Sequence, residues 1–463
     1  MSLELLSLPN EILLAIFSHF GDPYPLYALS TLCRRLHFLA LPLYLSRRGV
    51  YDCSPEACNI SIRPGNTDVL AALQTALFIG AVQNLSCFFP HPEKDFDRFR
   101  RLSAIVDSID SAKLYLFPTE GPSEKYFNSF IEVLNAVLER SCGTLMIHDV
   151  ASSVLNVRKS RGRARPPLSV SGAKPGLSPA ALGNRSLSTF NLHSELLLET
   201  PCRSWTLDVL NSFPLTHISI EAPSVPADTW DTLLSTTEIP TLLHLSVGHC
   251  RIKPAQLHLF LSRHPSITTL YLSQKVFVPS PQERLPPNCL PRLTTLSASA
   301  PQVAHLLQSA DQLPAIHSID VLGNLSRGDL TSMNASLRSV TSRLAHTDLS
   351  LALIVDFGFE PWTSASPLDI EDDSVFMHVN ELKLRCQLIA PFNVRLIVHW
   401  LVLFPALTTL ELENFRHSTF PVASLLSAVK QTATSVEKLV MDGVEHDVNS
   451  TAIAETDDQT SAV

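Results

Sequence analysis

Cysteine and histidine form the densest groupings of reactive side chains in this 463-residue chain, and none of the groupings makes a site. Cys53 and Cys58 lie five residues apart, without the second pair that a tetrahedral thiolate site would need. His244, His249 and Cys250 make a better-looking cluster. In LLHLSV (242–247), however, strict alternation predicts a strand that sends His244 outward, whereas Cys250 falls on an inward position, so the three do not converge on one metal. Cys33 sits in an apolar helical stripe, the setting of an inert buried thiol rather than a nucleophile. There is no G-x-S-x-G elbow, no G-x-x-x-x-G-K loop, no G-x-G-x-x-G turn and no H-E-x-x-H pair. The expectation is a protein without catalytic residues, metal or cofactor, and therefore not an enzyme.

The most informative elements stand at the N-terminal end. Pro9 suits the start of a helix, where its missing N–H costs nothing, and Glu11 complements the helix dipole in the first turn. Ile12, Leu13, Ile16, Phe17 and Phe20 recur at helical spacing until Gly21, Asp22 and Pro23 end the run. Leu26, Leu29, Leu32 and Cys33 make a second short run. Leu36, Leu39, Ala40 and Leu43 make a third after Arg34 and Arg35. Three helices of this size cannot shield so much apolar surface by themselves, so part of it must face a partner or another domain.

This segment resembles an F-box. The family pattern runs Leu-Pro, one residue, Glu-Ile, an aliphatic helix, then a Leu-rich turn into Cys-Arg-Arg. Leu8, Pro9, Glu11, Ile12, Leu13, Ile16, Phe17, Leu29, Cys33, Arg34 and Arg35 match it. The resemblance implies binding to the Skp adaptor and, through it, to a cullin, with Leu8, Pro9, Ile12, Leu13, Ile16, Phe17, Leu29, Cys33, Arg34 and Leu36 as the contact set. Leu36 stands where the family commonly carries Trp, which removes aromatic area and an indole donor.

The composition is that of a large folded protein: 45% hydrophobic and only 17% charged residues, with a net charge of −9 that argues against general nucleic-acid or anionic-membrane binding. Nine cysteines at scattered spacings fit reduced core thiols better than a disulfide framework. The apolar run ILLAIFSHF is accompanied by Glu4 and Glu11, with no preceding Lys or Arg, unlike a secretory leader. The stretch from Phe392 to Phe404 lies between two prolines and carries Arg395 and His399, too short and too polar to span a membrane. A cytoplasmic or nuclear location is expected.

Beyond the first module a pattern of apolar, two others, apolar, one other, apolar recurs. It reads LTHISI (215–220), LLHLSV (242–247), ITTLYL (267–272), LTTLSA (293–298), IHSIDV (316–321), VNELKL (379–384), LTTLEL (407–412) and VEKLVM (436–441). Looser copies centre on Leu85, Leu114, Leu145, Phe190 and Leu349. From residue 218 onward the centres are separated by 27, 25, 26, 23, 30, 33, 28 and 29 residues. The period resembles that of leucine-rich repeats, although the Asn or Cys that usually follows the strand is convincing only at Cys250; Lys275, Phe415 and Val444 stand there elsewhere. Helical runs such as LHLFLSRHP (257–265) and VRLIVHWLVLFP (394–405) lie between the copies.

The expected fold class is therefore α/β: a small three-helix F-box, then an irregular leucine-rich-repeat solenoid of parallel strands and helices. The expected domains are an F-box at 1–48, a linker at 49–78, N-terminal repeats at 79–155, a basic disordered loop at 156–186, a solenoid at 187–444 and an acidic disordered tail at 445–463. RKSRGRAR (158–165) within the loop reads as a solvated linker, with nuclear import as the alternative. In a solenoid of this kind the residues flanking each central apolar position face a target protein. His244, Tyr271, Lys383, Arg385, Glu411 and Glu413 are the candidates, with the acidic end expected to accept a basic segment.

Overall fold

The computed structural model describes the chain outside residues 1–4, 52–53, 55–56, 118–122, 151–175, 274–275, 277–284, 309–312, 325–326, 345–348, 358–373, 387–400, 415–421 and 449–463. It divides into two units, residues 1–244 and 245–463.

The first unit begins with α1 (Asn10–Ser18), α2 (Tyr24–Ser30) and α3 (Arg34–Arg47), with Pro9 at the N-cap of α1 and Glu11 in its first turn. Leu13 and Phe17, one turn apart, are buried together with Leu26, Leu36, Ala40, Leu41, Tyr44 and Leu45. The chain then continues through β1 (Val50–Tyr51), β2 (Asn59–Ile62), α4 (Val69–Leu73), β3 (Ala81–Phe89), α5 (Pro92–Ile105), β4 (Ser108–Leu116), α6 (Glu124–Leu138) and β5 (Thr144–Asp149). After α7 (Pro179–Gly183) come β6 (Thr189–His193), α8 (Arg203–Ser212), β7 (His217–Glu221) and α9 (Ala227–Thr236).

β1 and β2 pair antiparallel, and β2 through β7 pair in parallel, each with the next in sequence. This is the strand–helix–strand repetition the spacing predicted. The register aligns Ile60, Leu85, Ala112, Leu145, Phe190 and Ile218, all buried, so the centre assigned to Leu114 belongs two residues earlier. Because the shift is even, Leu114 still points inward. Phe89, Phe96, Phe99, Phe130, Phe190 and Trp205 fill the buried layer behind these strands. Phe89 meets the edges of Phe96 and Phe99 at 5.1 and 5.5 Å, and the Trp205 indole donates to Asn135 Oδ1 at 2.9 Å.

Three expected boundaries change. The linker at 49–78 is folded and carries β1, β2 and α4, the first strand–helix step. Gly49, at φ +91°, makes the turn into it where a Cβ would come within 2.5 Å of the Ser61 carbonyl oxygen. The basic segment ends sooner than 186: from Gly176 the chain is anchored, with Ser178 capping α7 and donating to Glu139 at 2.6 Å. The acidic tail likewise starts later than 445, because Val444–Asp447 form β16, antiparallel to β15 (Lys438–Met441).

The second unit takes over within β8 (His244–Gly248) and continues through α10 (Pro254–Arg263), β9 (Thr269–Leu272), β10 (Thr295–Ser299), α11 (Ala300–Leu306), β11 (Ser318–Asn324), α12 (Arg327–Leu337) and α13 (Thr341–Leu344). It ends with β12 (Ser350–Phe357), β13 (Glu381–Cys386), β14 (Thr409–Glu413), α14 (Val422–Thr432), β15 and β16. Strands β9 through β15 pair in parallel, each with the next in sequence. Leu270, Leu296, Ile319 and Leu351 pair in one row, and Leu353, Leu382, Leu410 and Leu439 in the next. The centre assigned to Leu349 therefore moves into β12, whose flanking rows are offset by two residues. The run 257–265 is α10, stopped before Pro265, while residues 394–400 of the other predicted helix, Cys53, Lys275, Phe415 and the acidic run 369–373 lie outside the described residues. Cys250 is buried and directs Sγ at the Gly248 carbonyl, 3.0 Å away, as its repeat position predicted.

Candidate functional site

The three-helix module separates its apolar residues into two sets. Helical geometry places Ile12 about 100° round from Leu13 and Ile16 about 100° round from Phe17, so two i,i+4 rows share α1. One row is inward and the other outward: Leu13 and Phe17 are buried, whereas Ile12 is 48% and Ile16 37% exposed. Of the predicted adaptor contacts, Pro9 and Arg34 are also exposed, and Leu8, Leu29 and Cys33 are half-buried. Leu13, Phe17 and Leu36 must be corrected. They are core residues of the module and leave almost no surface exposed. Leu6 (49% exposed), Tyr24 and Leu32 (69%) are open apolar residues outside the predicted contact set.

Two arginines of α3 hold α1 at both ends. Arg35 donates to the Leu6 and Leu8 carbonyls and to Asn10 Oδ1, the last at 3.0 Å. Arg47 donates to the carbonyls of Phe17, Ser18 and Phe20 at the end of α1, where the helix dipole favours a cation. Arg35→Ala combined with Arg47→Ala is expected to lower the opening free energy of α1 by about 1–3 kcal/mol. Amide hydrogen exchange confined to Asn10–Phe20 measures it, and unchanged protection would show the clamps to be energetically idle.

The module is also tied to the first strand–helix step. Tyr44 Oη donates to Asp68 Oδ2 at 2.9 Å, and Arg48 pairs with Asp68 at 3.6 Å while donating to Asn66 at 2.9 Å. Leu77 N–H donates to His37 Nε2 at 3.3 Å, so the ring carries its proton on Nδ1 and donates it to the Ser30 carbonyl at 3.2 Å. Phe38 and Phe78 pack 6.0 Å apart beside this bond.

The predicted target-binding residues fall in two places. His244 stacks on His217, 4.1 Å between centroids and 13° from parallel. Tyr271 is half-buried on β9. Lys383, Arg385, Glu411 and Glu413 do come together, on adjacent strands β13 and β14, but they satisfy one another. Lys383 Nζ lies 3.0 Å from Glu411 and 2.7 Å from Glu413, and Arg385 Nε lies 2.7 Å from Glu413. Hydrogen bonds from Lys383 and Arg385 pull the Glu413 carboxyl below its usual value against the opposing effect of burial. Two cations and two anions thus pair across β13 and β14.

Most of the described cysteines are buried. Cys33 is half-buried, while Cys58, Cys87, Cys142, Cys202, Cys250 and Cys289 are buried. Burial pushes the thiols of Cys142, Cys202 and Cys289 up to about 12. Among the described residues, no cluster of three or more His, Cys, Asp or Glu side chains is arranged to hold a metal ion. No helix among them is long and apolar enough to cross a membrane.

Residues 5–50 match the F-box-like family, and the chain thus carries an F-box-like domain over the three helices just described. No curated protein sequence matches the chain. Among solved structures it is similar to a leucine-rich repeat-containing protein, LegL7 of Legionella pneumophila, at 10% identity and a TM-score of 0.33, covering 81% of this chain and 98% of that one. It is also similar to a chain of the Rad7 and Elc1 complex of yeast, at 14% identity and a TM-score of 0.25, covering 68% of this chain and 88% of that one.

Proposed function

We propose that the chain is the target receptor of a Skp-cullin-F-box ubiquitin ligase. The F-box-like domain binds the Skp adaptor and the strand–helix repeats bind a protein to be ubiquitinated. The observation that carries this reading is the outward row of α1: a module of about forty residues buries Leu13 and Phe17 yet leaves Ile12 and Ile16 open, an expenditure of apolar surface that a partner explains. The contact set is Leu6, Leu8, Pro9, Ile12, Ile16, Leu29, Leu32, Cys33 and Arg34, with Arg35 and Arg47 as positioning residues. The chain performs no covalent chemistry in this reading. It raises the local concentration of a target beside a conjugating enzyme, and proximity supplies the rate. The ties from Tyr44, Arg48 and His37 to the first repeat support the reading, because they couple the adaptor-bound module to the part that would hold the target.

The test is co-expression of the full chain with a Skp-type adaptor and a cullin. Both are expected to co-purify with the full chain, and both to be lost when residues 1–48 are removed. Recovery of the adaptor without the cullin would make the chain an adaptor-bound scaffold, and recovery of neither would end the receptor reading.

A further inference from the structure

Where α3 meets the connection between α4 and β3, the first unit carries a further open apolar patch. Phe38 on α3 is 42% exposed and Leu77 in the connection 69%, while Phe78 is half-buried. The Phe38 and Phe78 rings lie 6.0 Å apart, and both meet the buried His37 ring, at 5.7 and 5.9 Å. The connection itself is fixed. Ala76 and Ile79 are buried on either side of the exposed residue, Gln74 Nε2 donates to the Arg98 carbonyl at 2.9 Å, and the Leu77 N–H donates to His37 Nε2 at 3.3 Å. A leucine side chain is thereby held in solvent next to the ring cluster.

We infer that the Skp-type adaptor covers this patch as well, so that its footprint continues from the three helices onto the first strand–helix step. The inference rests on the receptor reading and adds to the adaptor site an anchor carried by the repeats.

Continuity with the proposed adaptor face is the first support. Leu6, 49% exposed, belongs to that face, and Arg35 donates to its carbonyl. Arg34, the neighbour of Arg35 and a member of the same face, is exposed and holds its guanidinium 5.9 Å from the Phe38 ring one turn further along α3. From Leu6 through the two arginines to Phe38 and Phe78 the surface is one unbroken run. Size is the second support. A stable complex engages about 20–30 residues a side, and the contact set on three short helices, with Leu8, Leu29 and Cys33 already half-buried, falls well short of that. The missing surface has to adjoin the set, and this patch does. Order is the third: the rings are packed on one another and the Leu77 backbone is bonded, so covering them costs little conformational entropy. An adaptor seated on both parts holds the first repeat directly, alongside the ties that Tyr44 and Arg48 make to Asp68.

The experiment is calorimetry of a purified Skp-type adaptor titrated into the full chain, as parent, Leu77→Asp, Phe38→Ser and, for a control, Ile105→Asp at the end of α5, where the parent side chain is 44% exposed. Leu77→Asp is expected to weaken binding at least about fivefold, because 69% of that side chain is left to bury, and to melt within a few degrees of the parent. Phe38→Ser should weaken binding by a similar factor, and Ile105→Asp should leave it unchanged. Benzoylphenylalanine placed at position 77 should crosslink to the adaptor on irradiation, a reading of proximity that does not depend on a loss of affinity. Parent-like affinity in Leu77→Asp together with no crosslink would overturn the inference and leave the receptor reading standing, whereas a parent chain that does not bind the adaptor would end both. A free chain that sediments as a dimer, and as a monomer after Leu77→Asp, would assign the patch to a second copy and overturn the inference too.

Discussion

Ile12→Asp combined with Ile16→Asp is expected to reduce adaptor affinity by at least about tenfold while leaving the melting of the module unchanged. Fully burying an exposed isoleucine side chain contributes about 1.5–3 kcal/mol, and Ile12 and Ile16 have 48% and 37% of their surface left to bury, so losing both amounts to about 1–3 kcal/mol, or about tenfold to a hundredfold in affinity. Two carboxylates forced against an apolar groove add a desolvation cost, which makes the lower figure a floor. Neither residue belongs to the buried set, so the three helices keep their core. Leu13→Ala is the informative contrast. It opens a cavity beneath the same helix and is expected to cost about 2–5 kcal/mol of stability, abolishing capture by unfolding the module. Calorimetry of adaptor binding alongside thermal melting of each variant separates the two. Full affinity in the double aspartate variant would remove α1 as the adaptor face, and a collapsed melting transition would show that the outward row is structural.

The distinction between those two rows marks what could be read from the residues alone. The helix over 10–18 and its apolar content followed from Pro9, Glu11 and the i,i+4 spacing, and so did the central residues of most strands. What spacing does not state is which of two adjacent apolar rows faces inward. That depends on where α3 lies, and α3 is positioned by Arg35 and Arg47 bonding to backbone carbonyls, which leave no mark in a side-chain pattern. The strand β2 alternates, but four residues, NISI, are too short for alternation to stand out in the sequence; its parallel pairing with β3 reveals it as the first repeat. On the strand faces, alternation identified which residues point outward but not which of them neutralise one another. Lys383 and Glu411 are 28 positions apart, and their pairing exists only through the register of β13 on β14. The same holds for the rings on β3 to β6. Phe88, Tyr115, His148 and His193 are isolated in the sequence, and parallel pairing makes them neighbours.

Lowering the pH from 7 to 5 is expected to destabilise the second unit, and His258→Gln to remove most of that loss. His258 on α10 and His305 on α11 are both buried, their rings stacked at 5.2 Å with the two Nε2 atoms 3.3 Å apart. A bond between two imidazole nitrogens needs one N–H and one lone pair, so protonating the acceptor turns attraction into two opposed donors and buries a cation. Burial first, and repulsion from His305 second, push His258 down to about 4. In the unfolded chain the same imidazole titrates near about 6.5. Between those values the unfolded state binds more protons than the folded one, so stability is complete above the unfolded value and is lost as the pH falls toward the folded one. At pH 5 the linkage amounts to about 2 kcal/mol for this one group. Asp320, in the same unit, works in the opposite sense. Burial and the neighbouring Glu381 raise its carboxyl, so its contribution is present in acid and fades as the pH rises through its folded value. The Cys289 thiol, whose sulfur contacts the His258 carbonyl, is pushed up to about 12 and stays neutral throughout. Gln at position 258 can still bond His305 and has no proton to gain. Amide hydrogen exchange in α10 and α11, corrected for intrinsic rates, is expected to show the opening free energy of the parent falling by about 2 kcal/mol between pH 7 and 5, and that of His258→Gln by less than about 0.5 kcal/mol. An equal fall in both would locate the acid sensitivity away from the imidazole pair, with Asp320→Asn the next substitution to separate its opposing term.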